Sequence, residues 1–324
     1  MGAVLRWIVV IAAIGAAFFG ASQILQQAAS GQQPWDPELS DNFVFIKSVP
    51  FVLALGVAIG LLRGRGGGEE RRGELVRRFR PGTVIGHWVA TIGFVIAMPS
   101  GMWQYLGGIL SQDAPVPGGQ ILLDLFRPIP LYWVYRLHYI GGAVVLFSVA
   151  SFATYWWVSG DRSLLPPRGQ WRPHLSVFAR NLPRWLGSRI AGPLRLDLGR
   201  AMPAARRFTY YETAFSFPSW TIVIALITVT GLIKAMRYVY PVPPFILYWS
   251  STLHVAAMVL IFIKVLDHLR YTLARWPMMA AMAKGWVRAD AIRGVLADEV
   301  RPETSPPETM PARQPAGAIS GSER

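Results

Sequence analysis

Four of the five histidines in this chain lie inside long apolar segments, where ionisable side chains are rare. They are His87, His138, His254 and His268. An ionisable group inside a bilayer costs at least a few kcal/mol, so it is rarely found there without a partner or a function. Ligation by neutral imidazole is one such function. The fifth, His174, lies in an arginine-rich segment and is predicted to be a solvated side chain without a role.

The amino-acid composition excludes several other chemistries. The 324 residues are 52% hydrophobic and 15% charged, carry a formal net charge of +14, and include no cysteine. Without cysteine, the chain has no disulfides, thiol catalysis, iron–sulfur ligation or covalently attached haem. The arginines occur in blocks between apolar segments, which indicates charge that fixes membrane orientation rather than nucleic-acid binding.

Six apolar stretches are long enough to cross a bilayer as helices. They cover about residues 4–25, 45–62, 84–107, 132–158, 214–236 and 247–269. The predicted fold class is therefore all-α: a polytopic membrane helical bundle with six transmembrane helices. In the first stretch, Arg6 precedes an apolar core, and the small residues Ala28, Ala29 and Ser30 follow the stretch, so a cleaved secretory signal is the alternative there. We favour a retained helix, because the apolar core is longer than that of a usual signal.

The charges of the loops predict how the spans are oriented. Residues 63–80 carry seven arginines against three glutamates, and residues 159–207 carry ten arginines against two aspartates. Residues 26–44 carry no lysine or arginine. Both arginine-rich loops are therefore predicted to be cytoplasmic, which puts both termini inside. Residues 291–324 lack an apolar period and are predicted to form a disordered tail.

This topology places the four histidines at two depths. His87 begins the third span and His268 ends the sixth, so both lie near the inner face. His138 and His254 each lie in the second turn of a span that starts outside. His254 and His268 are separated by about 21 Å along one helix and differ by about 40° in direction. His138 is therefore predicted to meet His254 in the outer half, and His87 is predicted to meet His268 in the inner half.

Two stacked bis-histidine haems in a helical bundle are the chemistry that this pattern favours. Imidazoles fill both axial positions of a b-type haem, and the macrocycle occupies apolar space between helices. Two ligands do not close a tetrahedral zinc or copper site. The candidate propionate partners are Arg80 near His87, Arg136 near His138, and Arg207 or Arg270 near His268. Snorkelling at the membrane boundary is the alternative role for each arginine.

Three motifs surround these histidines. They are residues 79–88 (FRPGTVIGHW), residues 136–142 (RLHYIGG), and the pair His254 and His268 in the last span. Together they resemble the cytochrome b (gamma) subunit of membrane-bound formate dehydrogenase, within the wider family of dihaem membrane cytochrome b anchors. The resemblance implies three parts. Residues 1–74 are an N-terminal extension with two transmembrane helices, 75–290 a four-helix dihaem domain, and 291–324 the cytoplasmic tail.

The resemblance implies an electron-transfer subunit of a respiratory oxidoreductase in the bacterial inner membrane. In that family the four histidines ligate the iron of two b haems. The haems receive electrons from an iron–sulfur (beta) subunit, which a molybdenum or tungsten catalytic (alpha) subunit reduces, and pass them to quinone near the inner haem. By resemblance, His138 and His254 hold the outer haem, whereas His87 and His268 hold the inner one. No catalytic residue is assigned, because formate itself would not touch this chain.

One segment departs from the family pattern. The family commonly has an Asn-, Gly- or Gln-containing stretch before the fifth span, whereas residues 206–213 here are RRFTYYET. Tyr210, Glu212 and Thr213 are candidates for the quinone site, with helix capping and interfacial anchoring as the alternative. The departure leaves the electron donor open, since nickel–iron hydrogenases and other molybdoenzymes use related anchors. A haem-free membrane anchor or transporter is the alternative from a different class.

Overall fold

The computed structural model describes the apolar helices and much of the chain that connects them. The described residues are 3–29, 37–63, 71–110, 129–160, 164–166, 168–190, 204–205, 208–209, 212–273 and 276–288. The predicted tail at 291–324 lies outside them, as do Arg207 and Tyr210.

Most of the described residues are helical. The helices are α1 (Ala3–Ala29), α2 (Pro37–Leu62), α3 (Pro81–Leu110), α4 (Leu131–Ser159), α5 (Trp171–Ile190), a π-helical turn (Glu212–Ser216) that leads into α6 (Phe217–Met236), α7 (Pro244–Leu273) and α8 (Trp276–Lys284). Within the described residues, five segments are long and apolar enough to cross a membrane. They are Asn42–Leu62, Pro81–Tyr105, Leu131–Ser159, Glu212–Met236 and Pro244–Arg270.

These five segments confirm a multi-pass, mainly helical membrane protein. The remaining predicted span, the first at about residues 4–25, corresponds to α1, which is a helix of 27 residues. Its described apolar stretch, Trp7–Phe19, is shorter than a span. Six spans therefore stay a prediction.

Short strands, which the sequence analysis did not predict, occur in the connections. They are β1 (Arg71–Arg72), β2 (Leu75–Arg77), β3 (Ala204–Ala205), β4 (Phe208–Thr209) and β5 (Trp286–Arg288). Strands β1, β2 and β5 form one antiparallel sheet, and β3 pairs with β4. The Gly285 carbonyl accepts the backbone N–H groups of Arg78 and Phe79. The sheet therefore fastens the chain that follows α8 to the segment that leads into α3.

The membrane helices pack closely where glycines remove side-chain bulk. A Cβ atom on Gly56 or Gly60 of α2 would lie 2.6 Å from a backbone oxygen of α4. A Cβ atom on Gly141 of α4 would lie 2.5 Å from the backbone nitrogen of Ala97 in α3. Small residues allow such close backbone approach in membrane bundles. Helices α2, α3 and α4 thus form one packed group, while α6 packs along α7. The four histidines of the membrane helices lie where the two groups face each other.

Candidate functional site

The structure brings together the two histidines of each predicted pair. The ring centres of His138 and His254 are 6.3 Å apart, with 80° between the ring planes. Those of His87 and His268 are 6.1 Å apart, with 56° between the planes. A metal–imidazole bond is about 2 Å long and the ligating nitrogen lies about 1 Å from the ring centre, so opposite ligands of one metal have centres about 6 Å apart. Both separations therefore suit two axial ligands of one metal.

Helix α7 contributes one histidine to each pair and so fixes the distance between the pairs. His254 and His268 are fourteen residues apart, which is about 21 Å along an α-helix. The side chains of Val223, Ala257 and Ile261 form a buried apolar cluster in the stretch between them. Two α3 side chains, a phenylalanine and a methionine, pack against that cluster. The two pairs are therefore separated by packed apolar side chains.

The ring of His138 is held by groups of the neighbouring helix α3. Its Nδ1 lies 2.9 Å from the carbonyl oxygen of Ala97 and 3.5 Å from the hydroxyl of Ser100. A carbonyl oxygen can only accept, so Nδ1 carries the proton and donates it to Ala97. Nε2 is then the unprotonated nitrogen. Ligating histidines commonly show this arrangement, in which the second ring nitrogen donates to a carbonyl.

His254 is held in the same way by helix α6. Its Nδ1 lies 3.1 Å from the Ile227 carbonyl oxygen and 3.1 Å from the Thr230 hydroxyl oxygen. Thr230 donates its own proton to the Leu226 carbonyl at 2.6 Å, so its oxygen is available to accept. Nε2 of His254 is therefore also unprotonated. In both helices a carbonyl is followed three residues later by a hydroxyl side chain and then by a glycine.

Those glycines, Gly101 and Gly231, complete the surroundings of the two rings. We call each set of carbonyl, hydroxyl side chain and glycine a ring seat. A Cβ atom on Gly101 would lie 2.8 Å from Cε1 of His138, and one on Gly231 would lie 3.0 Å from Cε1 of His254. A methyl group at either position would therefore press on the ring. Neither seat is apparent from the sequence, because each lies on a helix other than the one that carries its ring. The Ser-Gly and Thr-Gly pairs within two apolar spans were the available signal.

A cavity of about 510 Å³ lies beside the outer pair, and both of its histidines line it. The wall is mainly apolar, with polar side chains from Gln104, Lys234 and Arg237. Nε2 of Gln104 is buried and makes no hydrogen bond to the described residues. A cavity of this size, with apolar walls and a few polar groups, is typical of a small-molecule or cofactor site.

Helix α2 adds to the wall of this cavity, although its segment carries no histidine. Phe45 lines the cavity, and its ring stacks on that of Tyr139 with centres 5.0 Å apart. The Tyr139 hydroxyl donates to the fully buried Asn42. The N-terminal segment therefore shapes the surroundings of His138.

The cations nearest the outer cavity differ from the one selected from the sequence. The guanidinium of Arg136 lies 5.3 Å from the Tyr132 ring centre and 5.5 Å from that of Trp133. Such aromatic residues are typical of a membrane boundary. Lys234 and Arg237 line the cavity instead. Of the remaining candidates, Arg80 immediately precedes α3, and Arg270 lies in the last turn of α7.

Aromatic and charged side chains surround the inner pair. The ring of Trp220 meets that of His268 edge-on, with centres 6.4 Å apart. Lys264, one turn before His268, donates to the Ser219 hydroxyl at 2.7 Å. Its ammonium group lies 5.1 Å from the centre of the Trp220 ring. A lysine is thus held within the membrane span by one hydrogen bond and an aromatic face.

Glu212 and Thr213, two of the predicted quinone-site residues, begin the π-helical turn. Thr213 is 2% exposed, whereas Glu212 is half-buried. The Glu212 carboxylate is within electrostatic range of His268, as is that of Asp267. π-Helical turns occur frequently at functional sites. The structure thus brings one predicted residue, Glu212, within electrostatic range of His268, while Tyr210 lies outside the described residues.

Arg63 is a further residue that the sequence analysis did not select. It follows α2, and its guanidinium packs against Gly82 and Gly86 of α3. A Cβ atom on either glycine would lie 2.7 Å from a guanidinium nitrogen. It donates to the Ser151 hydroxyl at 3.3 Å and lies over the Tyr155 ring. Burial lowers the pKa of Arg63, and Tyr155 opposes that shift. Nη2 is buried without a hydrogen bond to the described residues, so a donor remains beside the residue that precedes the α3 histidine.

The prediction that His174 is a solvated side chain was wrong. Its side chain is buried, with 7% exposed, and its Nδ1 lies 2.9 Å from the Gln170 carbonyl oxygen. From the sequence, residues 159–207 are predicted to be an arginine-rich loop between two spans. The structure places a helix, α5, within that segment, and His174 lies on its buried face.

No protein-family model, curated protein or solved structure matches this chain. Among the described residues, no group of three or more His, Asp or Glu side chains could hold a metal ion. What those residues offer is two pairs of imidazoles. Such pairs suit a metal whose remaining ligands come from a macrocycle.

Proposed function

We propose that this chain is the dihaem cytochrome b subunit of a membrane-bound formate dehydrogenase complex. It passes electrons from an iron–sulfur subunit through two b haems to quinone, and it anchors the complex in the membrane. The observation that carries the proposal is the geometry of the two histidine pairs. Their ring centres are 6.3 and 6.1 Å apart, which is the separation expected for two axial ligands of one iron.

The outer site fits a haem in three further respects. The hydrogen bonds of both Nδ1 atoms leave both Nε2 atoms to ligate. Gly101 and Gly231 leave room at the rings. Lys234 and Arg237 would pair with propionates from the cavity wall. These features favour haem over a haem-free anchor with structural histidines, because a structural histidine has no need of an adjacent apolar cavity.

The inner site is more open, and its charged groups suggest its role. Arg63 and Arg80 are the cations available to propionates near His87. Glu212 lies within electrostatic range of His268 and would exchange protons with a quinone bound at this end. A bound haem supplies reversible one-electron transfer. The chain supplies the ligands, their spacing and the apolar packing between the sites.

The orientation of the chain gives the electron path its direction. Both arginine-rich loops connect helix ends on the side of the bundle that holds His87 and His268. With these loops in the cytoplasm, as their charge predicts, electrons enter at the outer pair and leave at the inner pair. The protein would lie in the bacterial inner membrane.

Substitution of single histidines tests the ligand assignment. His138→Leu and His254→Leu should each remove the outer haem, and His87→Leu should remove the inner one, as measured by haem content and redox titration of the purified protein. His174→Leu is the matched control, because that histidine is buried but outside both pairs. Full haem content in the three ligand variants would overturn the assignment.

The electron donor is tested separately by purifying the intact complex. A molybdenum- or tungsten-containing subunit and an iron–sulfur subunit should co-purify with the chain. A nickel–iron subunit in their place would identify a hydrogenase anchor. That result would leave the two haems in place and replace only the formate assignment.

A further inference from the structure

Helix α5 (Trp171–Ile190) is a feature that the electron-transfer proposal does not use. Its sequence contains four arginines and no acidic residue. It lies in the connection between α4 and the π-helical turn, and therefore at the end of the bundle where two spans meet the membrane surface. Basic amphipathic helices at this level typically lie in the plane of the interface.

One face of α5 is occupied by the protein itself. His174 is buried, with 7% exposed, and Val177 is half-buried. The ring of Phe178 stacks on that of Phe215 in the π-helical turn, with centres 5.4 Å apart and 9° between the planes. Successive residues of a helix are about 100° apart, so these α5 side chains share one sector of about 100°.

Among residues 171–180, whose side chains the structure describes, the rest of the α5 surface has an apolar strip and a basic strip. Trp171 and Leu175 lie four residues apart on the same side and are 39% and 46% exposed. They border the docked face. Arg172 and Arg180 are exposed further round the helix. An apolar strip with arginines along one side fits a helix that lies flat at the boundary between acyl chains and headgroups.

We propose that α5 is an interfacial helix that binds anionic phospholipid. Trp171 and Leu175 insert into the acyl boundary, and Arg172 and Arg180 contact the lipid phosphates. Charge complementarity selects this partner, because residues 159–207 contain ten arginines against two aspartates, and anionic leaflets attract basic segments beside transmembrane helices. Through the stack of Phe178 on the π-helical turn, lipid binding also holds that turn beside the inner pair.

The depth of the helix is tested by site-directed spin labelling, for which a chain without cysteine is well suited. A nitroxide on Leu175→Cys should collide with oxygen and be shielded from a water-soluble nickel chelate in nanodiscs of phosphatidylcholine and phosphatidylglycerol. A label on Ser176→Cys, about 100° further round the helix, should show the reverse. Equal exposure of both labels to the nickel chelate would overturn the insertion of α5.

Lipid selectivity is tested with a fluorophore on Leu175→Cys and headgroup-specific quenching. Brominated phosphatidylglycerol should quench the fluorophore more than brominated phosphatidylcholine does. This preference for phosphatidylglycerol should fall about five-fold for each arginine replaced in Arg172→Gln/Arg180→Gln. Arg136→Gln, at the opposite end of the bundle, should keep the preference. Equal quenching by the two lipids in the parent protein would overturn the proposal. Neither measurement depends on haem content, so its outcome is independent of the proposed function.

Discussion

The seat of His138 has no room for a methyl group, so Gly101→Ala tests the outer pair directly. The new Cβ atom would lie 2.8 Å from Cε1 and 3.1 Å from Nδ1 of the ring, whereas ordinary contact begins at 3.4 Å. The ring must therefore move by several tenths of an ångström. The backbone of α3 cannot move away from the ring instead, because this would disturb the close approach of α3 to α4 at Gly141.

A displaced ring loses its orienting hydrogen bond. The 2.9 Å bond from Nδ1 of His138 to Ala97 contributes about 0.5–1.5 kcal/mol. Loss of such an outer partner of a metal ligand typically costs about 10- to 100-fold in metal affinity. We therefore expect Gly101→Ala to lose much of its outer haem on purification, and Gly231→Ala to show the same defect through His254.

The matched control is Gly142→Ala. Gly142 lines the same cavity, but a Cβ atom there would meet only the Phe45 ring at 3.8 Å, which is ordinary contact. Haem per chain and the reduced-minus-oxidised spectrum should be unchanged in this control and should fall in Gly101→Ala. A Gly101→Ala protein with two haems and unaltered midpoint potentials would refute the reasoning.

Three further predictions concern charge and packing. Lys234→Met should lower the midpoint potential of the outer haem in a redox titration, because a nearby cation stabilises the added electron. The control Arg136→Met should leave that potential unchanged. Equal shifts of the potential in the two variants would contradict the assignment of Lys234 to the cavity wall. Lys264→Met should lower the potential of the inner haem more than that of the outer one, and the reverse order would be inconsistent with its place beside His268. Gly60→Leu should destabilise the protein by about 1–3 kcal/mol in detergent unfolding, since the side chain would collide with α4. Gly15→Leu, where a Cβ atom meets nothing within 4 Å, should be nearly neutral, and equal losses would count against the packing described for α2.

The pairing of the histidines was predictable because it depends on local quantities. The fourteen-residue spacing of His254 and His268 sets their shared direction. The loop charges predict the orientation of each span, and the position of each histidine within its span then gives its depth. The ring seats were not predictable in this way. Gly101 and Thr230 act on rings carried by other helices, and such contacts depend on how the helices pack rather than on spacing along one of them.

Two other differences between the sequence-based expectations and the structure have similar physical causes. Arg136 was selected because it is close to His138 in sequence, but a side chain two residues away on a helix points about 160° away from its neighbour. Lys234 is distant in sequence, and the packing of α6 brings it to the cavity. The burial of His174 was missed because arginines dominate residues 159–207, which conceals the amphipathic spacing of α5.

The most direct test of the central claim is the haem content of the purified chain, measured as its pyridine haemochrome together with the protein concentration. Two b haems per chain, with a reduced-minus-oxidised spectrum of b type, are the predicted result. A chain that is fully folded in detergent, isolated from haem-sufficient cells and free of haem would contradict the account.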